Sequence, residues 1–219
     1  MVNPFKFGTV VENSFFTDRQ NELQHIKSVL NSENHLILIS PRRFGKTSLV
    51  VKALRESNRK HIMLNLQSVV STEDFAARLL KEIFKIYKFE KVKHFIKNFR
   101  IVPTISLNPM TDGVDVSIMP MVDNRVLIED VFALLQAIAS EEDRLIVVLD
   151  EFQEIKSIDK NLDRLLRSIM QLHKNINYLF LGSQESMMRE IFEKKKSPFF
   201  HFGQLLHLDK IPYDDFKLY

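Results

Sequence analysis

The chain has 219 residues, of which 45% are hydrophobic and 27% are charged, a composition typical of a globular protein with one substantial core. The 31 basic and 28 acidic residues nearly cancel, so the net charge of +3 gives little support to a nucleic-acid-binding surface. Cysteine is absent, which excludes disulfides and thiolate metal sites and favours a reducing compartment. Because neither a signal peptide nor a run of about 18 apolar residues is present, we expect a cytoplasmic protein without membrane spans.

Helical and strand patterns alternate along the chain. Residues 1–34 are predicted to form an N-terminal arm and a first helix, with Thr17 or Asp18 as the helix cap. The predicted strands are apolar runs at residues 35–39, 61–66, 145–149, 178–181 and 205–208. The predicted helices between them start near residue 46 and cover 72–98, 126–140, 162–173 and 186–194. We therefore expect one domain over residues 1–219, with a three-layer α/β fold and a five-stranded, mainly parallel sheet.

Residues 101–120 have a different pattern, in which apolar and polar residues alternate on both sides of a turn. Asp112 and Gly113 form a dipeptide that is strongly typical of hairpin turns. The alternating apolar residues are Ile105, Leu107, Val114, Val116 and Ile118. The pattern predicts a β-hairpin inserted into the α/β fold.

The segment from Ser40 to Thr47 has the pattern of a phosphate-binding loop between a strand and a helix, except that Ser40 replaces the first glycine. Backbone N–H groups at such a helix N-terminus attract phosphate, Lys46 would reach the terminal phosphates of ATP, and the Thr47 hydroxyl would bind Mg²⁺. Pro41 biases Ser40 toward an extended conformation with negative φ, so glycine is not required there. The same letters also occur by chance in other loops. The predicted nucleotide-binding residues of this segment are Ser40, Pro41, Arg42, Arg43, Phe44, Gly45, Lys46, Thr47 and Ser48.

Two acidic residues follow the apolar run at 145–149. A buried strand delivers a carboxylate to the carboxyl edge of a parallel sheet, where ligands of such sheets bind. Asp150 would therefore bind Mg²⁺, which prefers oxygen ligands, and Glu151 would orient or deprotonate the attacking water. The alternative is that both residues only cap the strand end.

Ser183 follows the fourth apolar run in the short polar segment Gly182-Ser183-Gln184. We expect its hydroxyl to sense the γ-phosphate or the attacking water, and we count it with Glu151 and Lys46 as a catalytic candidate. It could equally cap the helix that follows.

Several segments together resemble the archaeal and bacterial AAA+-type ATPases of the STAND group, and the resemblance spans nearly the whole chain. These segments are Asn3-Pro4-Phe5, Phe16 to Arg19 with Glu22-Leu23, Pro41 to Ser48, Leu149 to Gln153, and Gly182-Ser183. The resemblance implies a sheet of order 5-1-4-3-2, in which the Ser183 strand separates the other two site strands. It also implies that Phe16 and Arg19 border the adenine. From the residues alone, Phe16 could be an ordinary core aromatic and Arg19 a solvated helix residue.

The sequence departs from that group at two points. Gln204 occupies the place where the group tends to carry arginine, which puts a charge clamp in doubt. The helical lid or winged-helix domain of the group is not found before Tyr219, so we expect either a truncated chain or a lid supplied elsewhere. Arg164, Arg167 and Arg189 are candidate substitutes for the missing arginine, and each could also be a solvated helix residue.

The leading hypothesis is an ATPase with Mg²⁺ and ATP as cofactors, which hydrolyses ATP slowly to drive a conformational switch. The alternative is a nucleotide-gated module that binds nucleic acid or a protein through the hairpin or the basic stretch 81–97. Self-association is a further form of partner binding. GTPase and kinase functions are disfavoured, because a guanine-recognition motif is absent and the adjacent acids favour activation of water.

Overall fold

A computed structural model describes residues 19–100, 103–108, 113–118 and 123–210. Short 3₁₀ turns at Leu66–Ser68 and Phe152–Glu154 follow the second and fifth strands. The elements in chain order are α1 (Gln20–Leu30), β1 (Leu36–Ile39), α2 (Lys46–Ser57), β2 (His61–Asn65), α3 (Thr72–Ile86), α4 (Phe89–Ile96), β3 (Thr104–Asn108), β4 (Gly113–Ser117), α5 (Asn124–Ile138), β5 (Leu145–Asp150), α6 (Ile155–Ile158), α7 (Leu162–Met170), β6 (Ile176–Gly182), α8 (Glu185–Phe192) and β7 (Gln204–His207).

Five strands form one parallel sheet of order β2-β5-β6-β1-β7. If these five strands alone are numbered 1 to 5 in chain order, the sheet order is 2-3-4-1-5. Read from the other edge of the sheet, this is the expected order 5-1-4-3-2. The other two strands, β3 and β4, form a separate antiparallel hairpin with Ile105 opposite Val116. The α/β class and the inserted hairpin are thus confirmed, while the predicted turn residue Asp112 lies outside the described residues.

The sheet is covered by helices on both faces. Every residue of the three central strands β1, β5 and β6 is buried, as expected for apolar strands between two layers. Side chains alternate along them: Leu36 and Leu38 pack with α1 and α2, whereas Ile37 and Ile39 pack with α3, α5, α7 and α8. This alternation produces two separate cores and the predicted three layers.

Two local predictions differ from the structure. The helix predicted over residues 72–98 is divided into α3 and α4, because Tyr87 adopts an extended conformation and is buried in the core. The first helix has Arg19 at its N-cap position, and this residue is left-handed with φ 70°. Thr17 and Asp18, the predicted caps, lie outside the described residues.

A buried polar network joins α1 to the amino edge of the sheet. Asn177 on β6 is fully buried, and its side-chain oxygen accepts hydrogen bonds from Arg59 at 2.8 Å and Arg144 at 3.3 Å. Its amide nitrogen donates to the carbonyls of Ser32 at 3.0 Å and Asn34 at 2.8 Å. All donor and acceptor capacity of this side chain is therefore used, which is the condition under which a buried amide is tolerated.

The start of β7 is packed so closely against β1 that it requires glycine at position 203. A Cβ atom at Gly203 would lie 2.8 Å from the carbonyl oxygen of His35, and backbone atoms cannot move aside as a flexible side chain can. We expect Gly203→Ala to lower the free energy of unfolding by about 1–3 kcal/mol, as overpacking typically does. Urea denaturation measures this change. Leu205→Ala is the control, because Leu205 is exposed on the same strand, and equal stability of Gly203→Ala and wild type would contradict the prediction.

Candidate functional site

The phosphate loop (residues 40–47) connects the end of β1 to the start of α2. Ser40 is fully buried, and its N–H group donates a hydrogen bond to the carbonyl of Gly182 at 3.2 Å. Six described residues other than glycine have positive φ, and Ser40 is not among them, as Pro41 predicts. Serine can thus replace glycine at the start of this loop without backbone strain.

The far end of the loop does need unusual backbone angles. Gly45 has φ 81° and open space where a Cβ would be, so the backbone angle and not packing accounts for this glycine. Arg43 is also left-handed, with φ 70°, although it is not glycine. Such a conformation costs a residue other than glycine about 1–3 kcal/mol.

The remaining residues of the segment 40–48 divide between surface and core. The side chains of Arg42 and Arg43 are exposed, whereas Ser48 is buried on the first turn of α2. Phe44 is partly buried and packs against the core beneath α1 and α2. Arg42 and Arg43 are therefore loop residues whose side chains are exposed to solvent.

Lys46 and Thr47 contact both acids at the end of β5. The Lys46 Nζ atom lies 3.2 Å from Glu151 Oε1 and 3.8 Å from Asp150 Oδ1. The Thr47 hydroxyl donates to Asp150 Oδ2 at 3.2 Å. The four side chains meet across β6, which lies between β1 and β5 in the sheet.

Ser183 joins this group from the end of β6. Its hydroxyl donates to Glu151 Oε2 at 2.6 Å, and its backbone N–H donates to the same oxygen at 3.2 Å. We refer to Lys46, Thr47, Asp150, Glu151 and Ser183 as the edge cluster. All the residues predicted as catalytic or metal-binding thus lie together at the carboxyl edge of the sheet.

The two carboxyl groups of the edge cluster have opposite electrostatic environments. Burial raises the pKa of Asp150, and the charge of Lys46 only partly opposes this effect. Burial also acts to raise the pKa of Glu151, but hydrogen bonds from Gln153 and Ser183 and the charge of Lys46 outweigh it, so the pKa lies below its ordinary value. Glu151 is therefore the acid whose ionised form this site stabilises.

Gln153 is a site residue to which the sequence reasoning assigned no role. Its side chain is 1% exposed, and its Nε2 atom donates to Glu151 Oε2 at 2.6 Å. The signals in the sequence are its position two residues after the predicted base and its place in the segment Leu149 to Gln153, which contributes to the family resemblance. A polar residue there, directly after a buried strand, must find a polar partner nearby.

Arg19 is buried and contacts the phosphate loop. Its guanidinium donates to the carbonyls of Phe44, at 3.5 Å, and of Asp209, and it pairs with Glu22 at 2.8 Å. Arg19 is therefore not the solvated helix residue that the sequence alone allows. Its predicted place beside the adenine stays a prediction, and Phe16 lies outside the described residues.

The residues considered for a charge clamp lie elsewhere. Gln204 is the first residue of β7 and pairs with the first residue of β1, at the amino edge of the sheet. Arg167 lies at the same edge, with its guanidinium 4.5 Å from the ring centroid of Phe202. The other two candidates have exposed side chains on helices, Arg164 on α7 and Arg189 on α8. Neither Gln204 nor Arg167 is placed to act on the phosphate loop of its own chain.

Comparison with known families identifies the chain. Residues 16–211 match the model of an ATPase domain family found predominantly in Archaea. The chain belongs to this family. A search of curated proteins gives no match. The match includes the phosphate loop and the whole edge cluster, so these residues lie within the ATPase domain.

Solved structures share the fold of this ATPase domain. A Walker-type ATPase of Pyrococcus abyssi is similar with a TM-score of 0.62 and 17% identity, over 97% of this chain and 59% of that one. The Orc1 protein of Aeropyrum pernix, solved in complex with DNA, gives 0.61 and 13%, over 92% and 48%. Cdc6p from Pyrobaculum aerophilum gives 0.55 and 11%, over 97% and 50%. The chain thus spans roughly half the length of these structures, and at such identities they show the fold alone.

Two clefts among the described residues lie away from the phosphate loop. A cavity of about 630 Å³ lies at the amino edge and is bordered by His35, Arg167 and His173. A groove of about 390 Å³ lies at the starts of α5 and α7 and is bordered by Asn124 and Arg164. Neither borders the phosphate loop, so we assign the site from its converging polar groups. In the part of the chain that the structure describes, no helix is long and apolar enough to span a membrane.

The raised pKa of Asp150 has a consequence for stability. An acid whose pKa is higher in the folded state favours folding while protonated, and this contribution is lost as pH rises through that pKa. At pH 7 the buried carboxylate should therefore destabilise the nucleotide-free protein. We expect Asp150→Asn to raise the free energy of unfolding at pH 7 by about 1 kcal/mol in urea denaturation without nucleotide or Mg²⁺.

Asp115→Asn is the control for this substitution, because Asp115 is exposed on the hairpin and its ion pair with Lys81 should contribute little. A lower stability of Asp150→Asn than of wild type at pH 7 would show that Lys46 fully compensates the buried charge.

Proposed function

We propose that the chain binds ATP together with Mg²⁺ and hydrolyses it slowly. The observation that carries this proposal is the edge cluster, in which Lys46 and Thr47 from the phosphate loop contact Asp150 and Glu151 directly. Membership in an ATPase domain family supports the proposal. The resemblance to the STAND group is retained as the proposed subgroup.

In the proposed complex, the backbone N–H groups of the phosphate loop and the start of α2 bind the phosphates. Lys46 would leave the acids and pair with the terminal phosphates. Thr47 and Asp150 would hold Mg²⁺, whose charge stabilises the negative charge that develops during phosphoryl transfer. Among the described residues no group of three or more His, Cys, Asp or Glu side chains could hold a metal, so phosphate oxygens would complete the coordination.

Hydrolysis requires one bond to form and one to break. The oxygen of a water molecule bonds to the γ-phosphorus as the bond from that phosphorus to the bridging oxygen breaks, and Glu151 accepts a proton from the water. Glu151 suits this role because its lowered pKa keeps the carboxylate ionised at neutral pH. Ser183 would orient Glu151 and the phosphate product.

The contacts of Lys46 support the proposed conformational switch. Because phosphate and Glu151 would compete for Lys46, nucleotide binding would change the partners of Lys46 and Glu151 and could bias a conformational equilibrium.

The proposed slow rate rests on the arginines. The three candidate arginines do not hydrogen-bond to the edge cluster. An arginine finger contributes a factor of about 10³–10⁵ in phosphoryl transfer, so turnover that relies on the described residues of the edge cluster alone should be slow.

The central test separates binding from hydrolysis. Lys46→Ala should lose Mg²⁺-dependent ATP binding in calorimetry, because it removes the positive charge that faces the phosphates. Glu151→Gln should bind ATP but release phosphate about 10²–10⁴-fold more slowly than wild type, the range that general bases contribute.

Lys27→Ala is the control for both variants, because Lys27 is exposed on α1 and should leave binding and turnover unchanged. The proposal fails if wild type binds neither ATP nor GTP with Mg²⁺ present. The role of Glu151 fails if Glu151→Gln releases phosphate at the wild-type rate.

A second candidate function is a nucleotide-gated module that binds nucleic acid or a protein, through the hairpin or the basic stretch 81–97. Exposed lysines on α3 and α4, beside the hairpin, favour this candidate. However, several of these lysines pair with acids: Lys81 with Asp115, Lys85 with Glu82, and Lys93 with Glu90. Lys88 and Lys97 are exposed as well. The neutralised lysines favour a protein partner over nucleic acid.

We therefore expect duplex DNA to bind no more tightly than in the non-specific range, with Kd about 10⁻⁴–10⁻⁶ M, in fluorescence anisotropy between 50 and 200 mM salt. Much tighter, salt-dependent binding that is lost when Lys88 and Lys97 are replaced by alanine, but not in Lys27→Ala, would instead establish the nucleic-acid module.

A further inference from the structure

Gln153 donates a hydrogen bond to only one of the two carboxylate oxygens of Glu151, the proposed general base. We propose that Gln153 is a positioning residue that anchors Oε2 of Glu151, so that Oε1 of Glu151 is the oxygen that acts on water. This inference rests on the proposed ATP hydrolysis and assigns an atom to it.

The backbone after β5 explains how Gln153 reaches Glu151. Glu151 is left-handed with φ 53°, and the 3₁₀ turn Phe152–Glu154 follows directly, closed by a hydrogen bond from the Glu154 N–H group to the Glu151 carbonyl at 3.0 Å. Gln153 is the middle residue of this turn, and its amide contacts the carboxylate at position 151. The left-handed angle at Glu151 thus occurs at the turn that brings the two side chains together.

Hydrogen bonds to the Glu151 carboxylate are unequal. Oε2 accepts from Gln153 Nε2 at 2.6 Å and from the hydroxyl and N–H groups of Ser183 at 2.6 and 3.2 Å. Oε1 accepts from Lys46 at 3.2 Å. Lys46 is the residue that phosphate would attract away, so nucleotide binding frees Oε1 and leaves Oε2 held. Lys46 and Asp150 are the charged groups that face Glu151 in this cluster.

The other end of the Gln153 amide does not explain why this residue is polar. An ionised carboxylate only accepts hydrogen bonds, so the nitrogen of the amide must face Glu151. The amide oxygen, Gln153 Oε1, is buried and has no hydrogen-bond partner in the described part of the chain. A buried oxygen without a donor is destabilising, and an apolar side chain of similar length would avoid this cost. A polar residue at this position is better explained by its contact with Glu151.

The test uses the full chain with Gln153→Met, which keeps the length of the side chain and removes the donor. We expect kcat to fall about 10- to 100-fold, the effect of misplacing a catalytic group by about 1 Å, while KM for ATP changes by less than roughly threefold. The thermal midpoint should change little, because the lost hydrogen bond to Glu151 is offset by removal of the unpartnered oxygen. Glu154→Ala is the matched control, since Glu154 lies in the same turn and bonds to Ser157 and Gln184 instead.

A double-mutant cycle shows whether Gln153 acts through Glu151. In the Glu151→Gln background, Gln153→Met should cause no further loss of kcat, because the group that it positions is already gone. An equal loss in both backgrounds overturns the inference, as does an unchanged kcat or a rise in KM alone. If Gln153→Met does not fold, Gln153→Ala replaces it with the same expectations.

A spectroscopic measurement tests the contact even if the proposed hydrolysis fails. The side-chain amide signal of Gln153 in a ¹⁵N–¹H spectrum is identified by its loss in Gln153→Met. In the nucleotide-free protein this signal should shift in Glu151→Ala and stay in place in Glu154→Ala. A signal that does not respond to Glu151→Ala overturns the positioning role. Absence of ATP binding by wild type, with the amide shift present, overturns the proposed function and leaves the contact established.

Discussion

The rest of the site depends on the ion pair between Lys46 and Glu151 at the carboxyl edge of the sheet. The two residues come from opposite sides of β6, so they meet only because β1, β6 and β5 run parallel and end at the same level. Both side chains are nearly buried, at 8% and 11% exposed. Because an unpaired charge at such a place is strongly unfavourable, each side of the pair requires the other to be in position.

The fold and the residues of the edge cluster could be predicted because their signals are local. Apolar runs at β1, β5 and β6 reflect burial on both faces, and this burial is determined by side-chain chemistry within a few residues. The carboxyl ends of parallel strands share one edge, so residues that follow these runs must lie near one another. The order of the strands came from resemblance to a family, since no local pattern indicates which strands are neighbours.

Contacts that depend on distant parts of the chain could not be predicted. Arg19 looked like a surface residue, but its partners include the carbonyl of Asp209, 190 residues away. Asn177 lies within an apolar strand and is satisfied by Arg59 and Arg144 from other elements. The break between α3 and α4 at Tyr87 likewise follows from packing, because the local sequence there contains neither glycine nor proline. In each case tertiary contacts outweigh local propensity.

Glu151 accepts hydrogen bonds from Lys46 on one oxygen and from Ser183 and Gln153 on the other. This division matters because Lys46 is also the proposed phosphate-binding residue. In the nucleotide-free protein the charge of Lys46 helps to keep the pKa of Glu151 low, but in the proposed complex Lys46 is also the cation that phosphate would attract. If Lys46 were the sole partner, nucleotide binding would remove this support just when an ionised base is needed. The hydrogen bonds from Ser183 and Gln153 do not involve a residue that phosphate attracts. In the proposed mechanism they would favour the ionised carboxylate with and without nucleotide, so that Lys46 could exchange partners without protonation of Glu151.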